Sequence, residues 1–372
     1  MVAEGAALQQ ESEIRALTGL RFVAAFYVFL FHIHIRWPLA EGAFLRHVLD
    51  QGAIGMSLFF MLSGFLLAYR YADGQVSVKD YLLNRFARIY PVYAVAALVT
   101  LPWIGVGFGS GSTQDVARGL LQGLLLIGAN LLLIQAWFLQ FFSHWNNGGS
   151  WSISVEAFCY VLLPFLLPLL KALPLHRLRQ TAALCLICAV LPGLSAALFP
   201  AASNPVYYSM PIFRLPEFLI GTCLMLAMRQ GLVYCHGAGR QALVLAVFLL
   251  YLGGLGQAMP LYVGHNLVAL PVIGFFIFSL SNGRGPIAAF LGSRLMVWLG
   301  KISYSFYSFQ VLVLLLLVDQ HDRLVVAFPA LANPALLAIT ALLVVTALAA
   351  AGYSLIEEPA RRTLRRRFAV PA

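Results

Sequence analysis

Eleven stretches of this chain are apolar over roughly the 20 residues that a helix needs to cross a bilayer. They are Leu17–Ile35, Ile54–Tyr69, Tyr90–Phe108, Ala117–Leu139, Trp151–Leu170, Thr181–Phe199, Pro211–Met228, Ala242–Met259, Asn266–Leu280, Ile302–Val318 and Ala335–Ile356. So much apolar sequence leaves too little polar chain for a separate extramembrane domain. Composition agrees: 61% of the 372 residues are apolar, 10% are charged and the mean hydropathy is +0.85, where a soluble domain carries roughly 25% charged residues. A soluble globule and a disordered chain are both excluded. The expected fold is all-α, a polytopic helix bundle in a membrane, with no internal repeat.

Scarce charges then become the informative residues. Lys and Arg number 24 against 14 Asp and Glu, a formal net charge of +10, and in a membrane protein that excess is first a topology signal. No basic patch interleaved with aromatics suggests a nucleic-acid partner. The linkers sort by charge: Arg70, Lys79, Arg85 and Arg88 share one; Lys171, Arg177 and Arg179 another; Arg229 with Arg240, and Arg284 with Arg294, two more; Arg361, Arg362, Arg365, Arg366 and Arg367 form the tail. If all eleven runs crossed, the Lys171 linker would fall on the wrong side. The linkers agree if residues 90–149 make an odd number of crossings, which predicts that Ala117–Leu139 is re-entrant or interfacial. Ten crossings and two cytoplasmic termini follow. The expected division is a cytoplasmic segment over 1–14, a membrane domain over 15–358 and a basic cytoplasmic tail over 359–372 that also contacts anionic lipid heads, all in the cell (inner) membrane. Residues 1–14 lack the basic start of a signal peptide, so the first apolar run reads as a retained anchor. Cys159, Cys185, Cys188, Cys223 and Cys235 read as small core residues rather than redox groups.

Ionisable groups inside apolar runs are functional candidates because they cost several kcal/mol unless paired or hydrated. Arg21 and His32 are eleven residues apart, which returns to within about 20° of one helix face and separates them by about 16 Å. With Glu156 in the first turns of a span entered from the opposite side, His32 and Glu156 are expected at similar depth. A histidine oriented by a carboxylate suits general-base work near neutral pH. The plainer readings are a core histidine bonded to a carbonyl, and a Glu favoured by the positive end of its helix after Ser150 or Ser152. Arg85 and Arg88, at i, i+3, share a face at the cytoplasmic mouth where two guanidinium groups beside Arg21 suit a phosphate ligand. Otherwise they are anchors, and Arg21 snorkels. Arg214 and Glu217, also i, i+3, read as a neutralising brace, with Glu217 a reserve catalytic carboxylate.

Seven segments resemble, in order, the acyltransferase 3 family of integral membrane acyltransferases: Glu13-Ile-Arg-Ala-Leu-Thr-Gly-Leu-Arg21 with His32 following, Phe59-Phe-Met-Leu-Ser-Gly-Phe-Leu66, Arg85/Arg88 leading into Ile89-Tyr-Pro, Trp151-Ser-Ile-Ser-Val-Glu156, Arg214-Leu-Pro-Glu-Phe-Leu-Ile-Gly221, Ile302-Ser-Tyr-Ser-Phe-Tyr307 and Ile356-Glu-Glu-Pro-Ala-Arg361. The resemblance implies about ten spans and transfer of an acyl group, usually acetyl, from cytoplasmic acyl-CoA to a hydroxyl of a carbohydrate or glycosylated acceptor. It implies His32 and Arg21 as the signature pair, Arg85 and Arg88 as the paired arginines and Glu156 as the acidic residue of its motif. Thr18 stands where the family commonly has Asp, Gln310 where many members have His, and Ala157 where a second Glu is frequent. The hydrolase-like domain that some members append is absent from this sequence.

The expected mechanism places CoA phosphates at Arg85, Arg88 and Arg21, the thioester at His32 and Glu156 behind His32, with Arg214, Glu217, Tyr304 and Gln310 in support. The donor is acetyl-CoA as a substrate, and no tightly bound cofactor or metal is expected. The competing class is a multi-span transporter or flippase of a lipid-linked glycan or anionic solute. It lacks a pair of broken helices in matching halves. A polyprenyl-dependent glycosyltransferase is a third reading, with Asp319 to Asp322 as an outer acidic loop.

Overall fold

The computed structural model describes residues 14–74, 76–106, 112–142, 144–145, 147–198, 208–232, 237–256, 258 and 265–367. Cys235, the segment 1–13 and the last five residues of the tail lie outside them. The described helices are α1 (Arg15–His34), α2 (Ala43–Asp50), α3 (Ile54–Tyr71), α4 (Val78–Val99), α5 (Thr113–Leu131), α6 (Asn147–Lys171), α7 (Leu175–Leu198), α8 (Pro211–Arg229), α9 (Ala238–Leu255), α10 (Asn266–Leu280), α11 (Pro286–Leu291), α12 (Arg294–Ala327), α13 (Pro334–Gly352) and α14 (Glu358–Arg367), the last two joined by a π turn over Tyr353–Glu357. Among the described residues, eight stretches are long and apolar enough to cross a membrane: α1, α3, α4, α6, α8, α9, α12 and the run from α13 into α14.

Side-chain caps explain several helix starts. Ser77 accepts from the Asp80 N–H at 3.1 Å to begin α4, Ser112 does the same from Asp115 for α5, and Asn333 accepts from Ala335 and Leu336 ahead of α13. Each satisfies amide groups that a helix leaves unpaired at its first turn. Capping at Ser77 makes α4 start twelve residues before the apolar run from Tyr90. Arg85 and Arg88 are therefore intrahelical and hold a fixed orientation.

Contacts between helix ends fix the direction of each span. Lys171 at the end of α6 donates to the Ala72 carbonyl at 2.7 Å. Arg229 at the end of α8 pairs with Asp73 and donates to the Tyr69 carbonyl at 2.9 Å, and Arg15 at the start of α1 donates to the Gly292 carbonyl at 3.0 Å. At the opposite end, His47 and Gln51 around α2 reach the Gly253 and Gly256 carbonyls that finish α9. The basic residues Arg15, Lys171 and Arg229 thus gather at one end of the bundle, where Arg15 and Tyr69 line one cavity. The chain's described termini meet there too, since Ile14 and Arg361 line one cavity.

The stretch over residues 117–139 is not one helix. α5 stops at Leu131, Leu133 takes a left-handed φ of 58°, and a 3-10 turn follows over Gln135–Trp137. Tyr90 and Tyr93 donate to the Leu131 and Asn130 carbonyls at 3.2 and 3.0 Å, while the Trp145 indole donates to Thr100 at the far end of α4, 3.1 Å away. Between Tyr90 and Thr100 lie about 15 Å of helix. The chain thus runs beside α4 and turns back rather than continuing as one long helix.

Glycine sets the tightest crossing. A Cβ on Gly64 of α3 would collide with the Phe218 carbonyl of α8, and one on Gly221 of α8 would collide with the Met61 carbonyl of α3. Small residues let transmembrane backbones approach this closely, so the Phe59–Leu66 and Arg214–Gly221 motifs have a packing role. On the α8 side of this crossing, fully buried Arg214 and Glu217 pair at 2.9 Å one turn apart. Arg214 also donates to Ser57 at 3.3 Å and lies over the Phe60, Trp151 and Tyr208 rings, and Asn266 donates to Glu217 at 3.3 Å. The pair braces four helices.

Candidate active site

Three cavities follow one another along α1 and α12. At the basic end, a cavity of about 460 Å³ is lined by Arg21, Arg70, Arg85, Arg88, Lys301 and Arg361, with Glu358 as its single carboxylate. Arg85 lies over the Tyr71 and Tyr160 rings, with centroids 5.7 and 5.9 Å away, and donates to the Tyr71 hydroxyl at 3.4 Å. Arg88 pairs with fully buried Glu357 at 3.3 Å, and Ser305 donates to the other Glu357 oxygen at 2.8 Å. The Arg85 Nε and one Arg88 Nη are buried without a hydrogen-bond partner. Guanidinium forks with uncommitted donors match the geometry of phosphate oxygens. So many cations at one mouth concentrate anions there.

Arg21 also lines the second cavity, a chamber of about 20 Å³ formed with Met56, Phe59, Ser152, Ile153, Glu156, Ser303, Tyr304 and Tyr307. Such a volume holds about one water. The Glu156 carboxylate lies near Arg21, Arg88 and Arg85 and hydrogen-bonds Tyr160. Tyr304 donates to the Ile89 carbonyl of α4 at 2.7 Å, and Tyr307 shares a 2.7 Å hydrogen bond with Ser152 of α6.

The third cavity, about 340 Å³, opens at the other end and holds His32 and Arg36 among Phe31, Ile35, Phe142, Trp145, Gly149, Tyr208, Val311 and neighbouring leucines. His32 Nδ1 is buried without a hydrogen-bond partner. Arg36 donates to the His32 carbonyl at 2.9 Å. Tyr307 and Val311, on either side of the boundary between chamber and vestibule, are four residues apart. That boundary is about 6 Å thick along α12.

The expected pairing of His32 with Glu156 is not formed: the two side chains line different cavities, and Glu156 lies near Arg21 instead. The physical reason is the helix start. α6 begins at Asn147, so Glu156 sits nine residues, about 13 Å, inside it. Asp319, His321 and Asp322 likewise lie on α12 rather than in a loop, with Trp37 stacked on His321 at 5.4 Å. Glu217 lines none of the three cavities, in keeping with a brace. Gln310 is fully buried on α12, and both its amide atoms lack a partner. Arg70 and Arg361 were legible in the sequence only as topology charges, and Lys301, beside the apolar run from Ile302, carried no signal of its own. Glu357 carried a signal, a carboxylate immediately after the final apolar run and just before the basic tail.

Comparison with known proteins completes the description. Residues 14–354 match the family described as acyltransferase domain. The chain is 30% identical to acyltransferase MdmB of Streptomyces mycarofaciens over 80% of this chain and 78% of that protein. It is 23% identical to peptidoglycan O-acetyltransferase OatA of Listeria monocytogenes serovar 1/2a over 79% of this chain, and the match spans 48% of that longer relative. No solved structure matches.

Proposed function

Since the chain belongs to this acyltransferase family and is a multi-pass membrane O-acyltransferase, we propose that it carries an acetyl group from acyl-CoA, bound at the basic end, to a carbohydrate hydroxyl presented at the His32 end. One observation carries the reading. Arg21 lines both the basic cavity and the inner chamber, and the chamber stops about one helical turn short of the His32 vestibule. Donor and acceptor compartments thus approach each other from opposite ends of the same two helices, α1 and α12.

The chemistry follows from what each compartment offers. Donor phosphates sit among Arg85, Arg88, Arg70, Lys301 and Arg361, and the pantetheine arm runs past Arg21 into the chamber. Glu156 holds Arg21 in place and offsets its charge, so the passage is not itself an anion trap. His32, facing the vestibule, takes the acceptor proton as the hydroxyl oxygen attacks the thioester carbonyl. CoA leaves as the thiolate and recovers that proton. The acceptor class rests on the peptidoglycan named for the Listeria relative, and the basic end faces the cytoplasm of the cell membrane by the positive-inside rule.

The test is release of CoA thiol from acetyl-CoA by purified protein, with water as the default acceptor, combined with transfer of labelled acetyl to glycan in membranes. Turnover in both assays is expected. Protein that leaves acetyl-CoA intact in both would overturn the reading, and the transporter class would then be revisited.

A further inference from the structure

Gln310 presents an anomaly that the proposed path does not use. It is fully buried, with neither Nε2 nor Oε1 hydrogen-bonded. A buried amide left unpaired costs about 1–3 kcal/mol, and such groups in a native structure call for a reason. Its place supplies one. Ser303, Tyr307, Gln310 and Leu314 follow at intervals of three and four, so they share one face of α12. Ser303 and Tyr307 line the inner chamber, whereas Val311 and Leu314 line the vestibule. Gln310 therefore lies at the boundary where a thioester from one side meets a hydroxyl from the other.

We infer that the Gln310 amide is the oxyanion donor of the transfer, a role that rests on the acyltransferase reading above. When the acceptor oxygen bonds to the thioester carbonyl carbon, the carbonyl π pair moves onto its oxygen, and that charge needs donors already in place. The other hydroxyls on this face are committed: Tyr304 donates to the Ile89 carbonyl and Tyr307 is bonded to Ser152. The Gln310 Nε2 group has two N–H donors and no competing partner. Collapse of the intermediate returns the pair to the carbonyl, breaks the C–S bond and expels the CoA thiolate, which takes the proton held on His32. An aligned donor that meets charge only in the transition state raises kcat rather than ground-state affinity.

Gln310→Met keeps the length of the side chain and removes its N–H groups. Measured as CoA thiol release from acetyl-CoA by purified protein, its kcat is expected to fall about 100-fold, with KM for acetyl-CoA within threefold of the parent. Its Tm is expected to be unchanged or higher, because an unpaired buried amide has been replaced by an apolar group. Gln310→His, which keeps an N–H donor, is expected to recover at least tenfold of the loss. A Met variant with parental kcat would remove Gln310 from the chemistry. One that fails to fold, or whose Tm falls together with its activity, would show that the amide serves packing and would equally overturn the inference. If wild-type protein binds acetyl-CoA and turns it over while these variants behave as the parent does, the acyltransferase reading stands and only the oxyanion role fails. If the wild type neither binds nor consumes acetyl-CoA, both fall.

Discussion

The two ends of the passage are built from different chemistry. The basic cavity presents six cations against one carboxylate, while the vestibule has Arg36 and His32 within a wall that is mostly aliphatic and aromatic. The first suits a multiply charged ligand whose affinity comes from phosphates. The second suits a largely neutral ligand positioned by shape and by a single proton acceptor. The contrast separates binding from chemistry along the helices: substitutions at the basic end should act on donor affinity, and substitutions at the His32 end on turnover.

The largest expected effect is at the vestibule. His32→Ala should lower kcat for thiol release by about 10²–10⁴-fold, the usual contribution of a general base, while acetyl-CoA binding measured by calorimetry stays within threefold. A histidine variant that loses donor affinity instead would erase the division between the two ends. Next comes Arg85→Ala, which should raise the KM for acetyl-CoA about 10–100-fold, the weight of a charge-assisted phosphate contact, with kcat within threefold. Arg88→Ala should look worse than Arg85→Ala by a thermal shift assay, because it strands buried Glu357, a loss of about 3–5 kcal/mol. The smallest effect belongs to Lys301→Ala and Arg361→Ala at the lip. Each should change KM only a few-fold, and the change should shrink as salt is raised from 50 to 300 mM, since partly exposed charges are screened. Salt-independent losses there would place those cations deeper in donor recognition than their position suggests.

What the sequence disclosed follows from the reach of each physical constraint. Long apolar runs are a property of the sequence itself, so an all-α bundle of membrane-length helices was legible before any contact was known, and eight of the described stretches are long and apolar enough to cross. Arg21, Arg85 and Arg88 converge as expected because their helical spacing is local and rigid. Depth was less legible. The start of α6 at Asn147 has no apolar signal, so counting from Trp151 placed Glu156 too near the His32 end. For the same reason Asp319 to Asp322 looked like a loop, although α12 continues nine residues past the apolar run to Ala327. Arg70 and Arg361 were hidden because one charge serves two purposes, marking a side of the membrane and lining a cavity.

The central claim is that donor and acceptor enter from opposite ends, and sided supply of the donor tests it most directly. The protein is reconstituted in sealed vesicles, and its orientation is scored by protease access to the basic tail after α14. Acetyl-CoA is then added to one side at a time. Thiol release and acetyl transfer are expected only when acetyl-CoA is on the side of the basic tail, with the acetylated product appearing on the other. Equal turnover from both sides, or turnover only from the His32 side, would contradict the account.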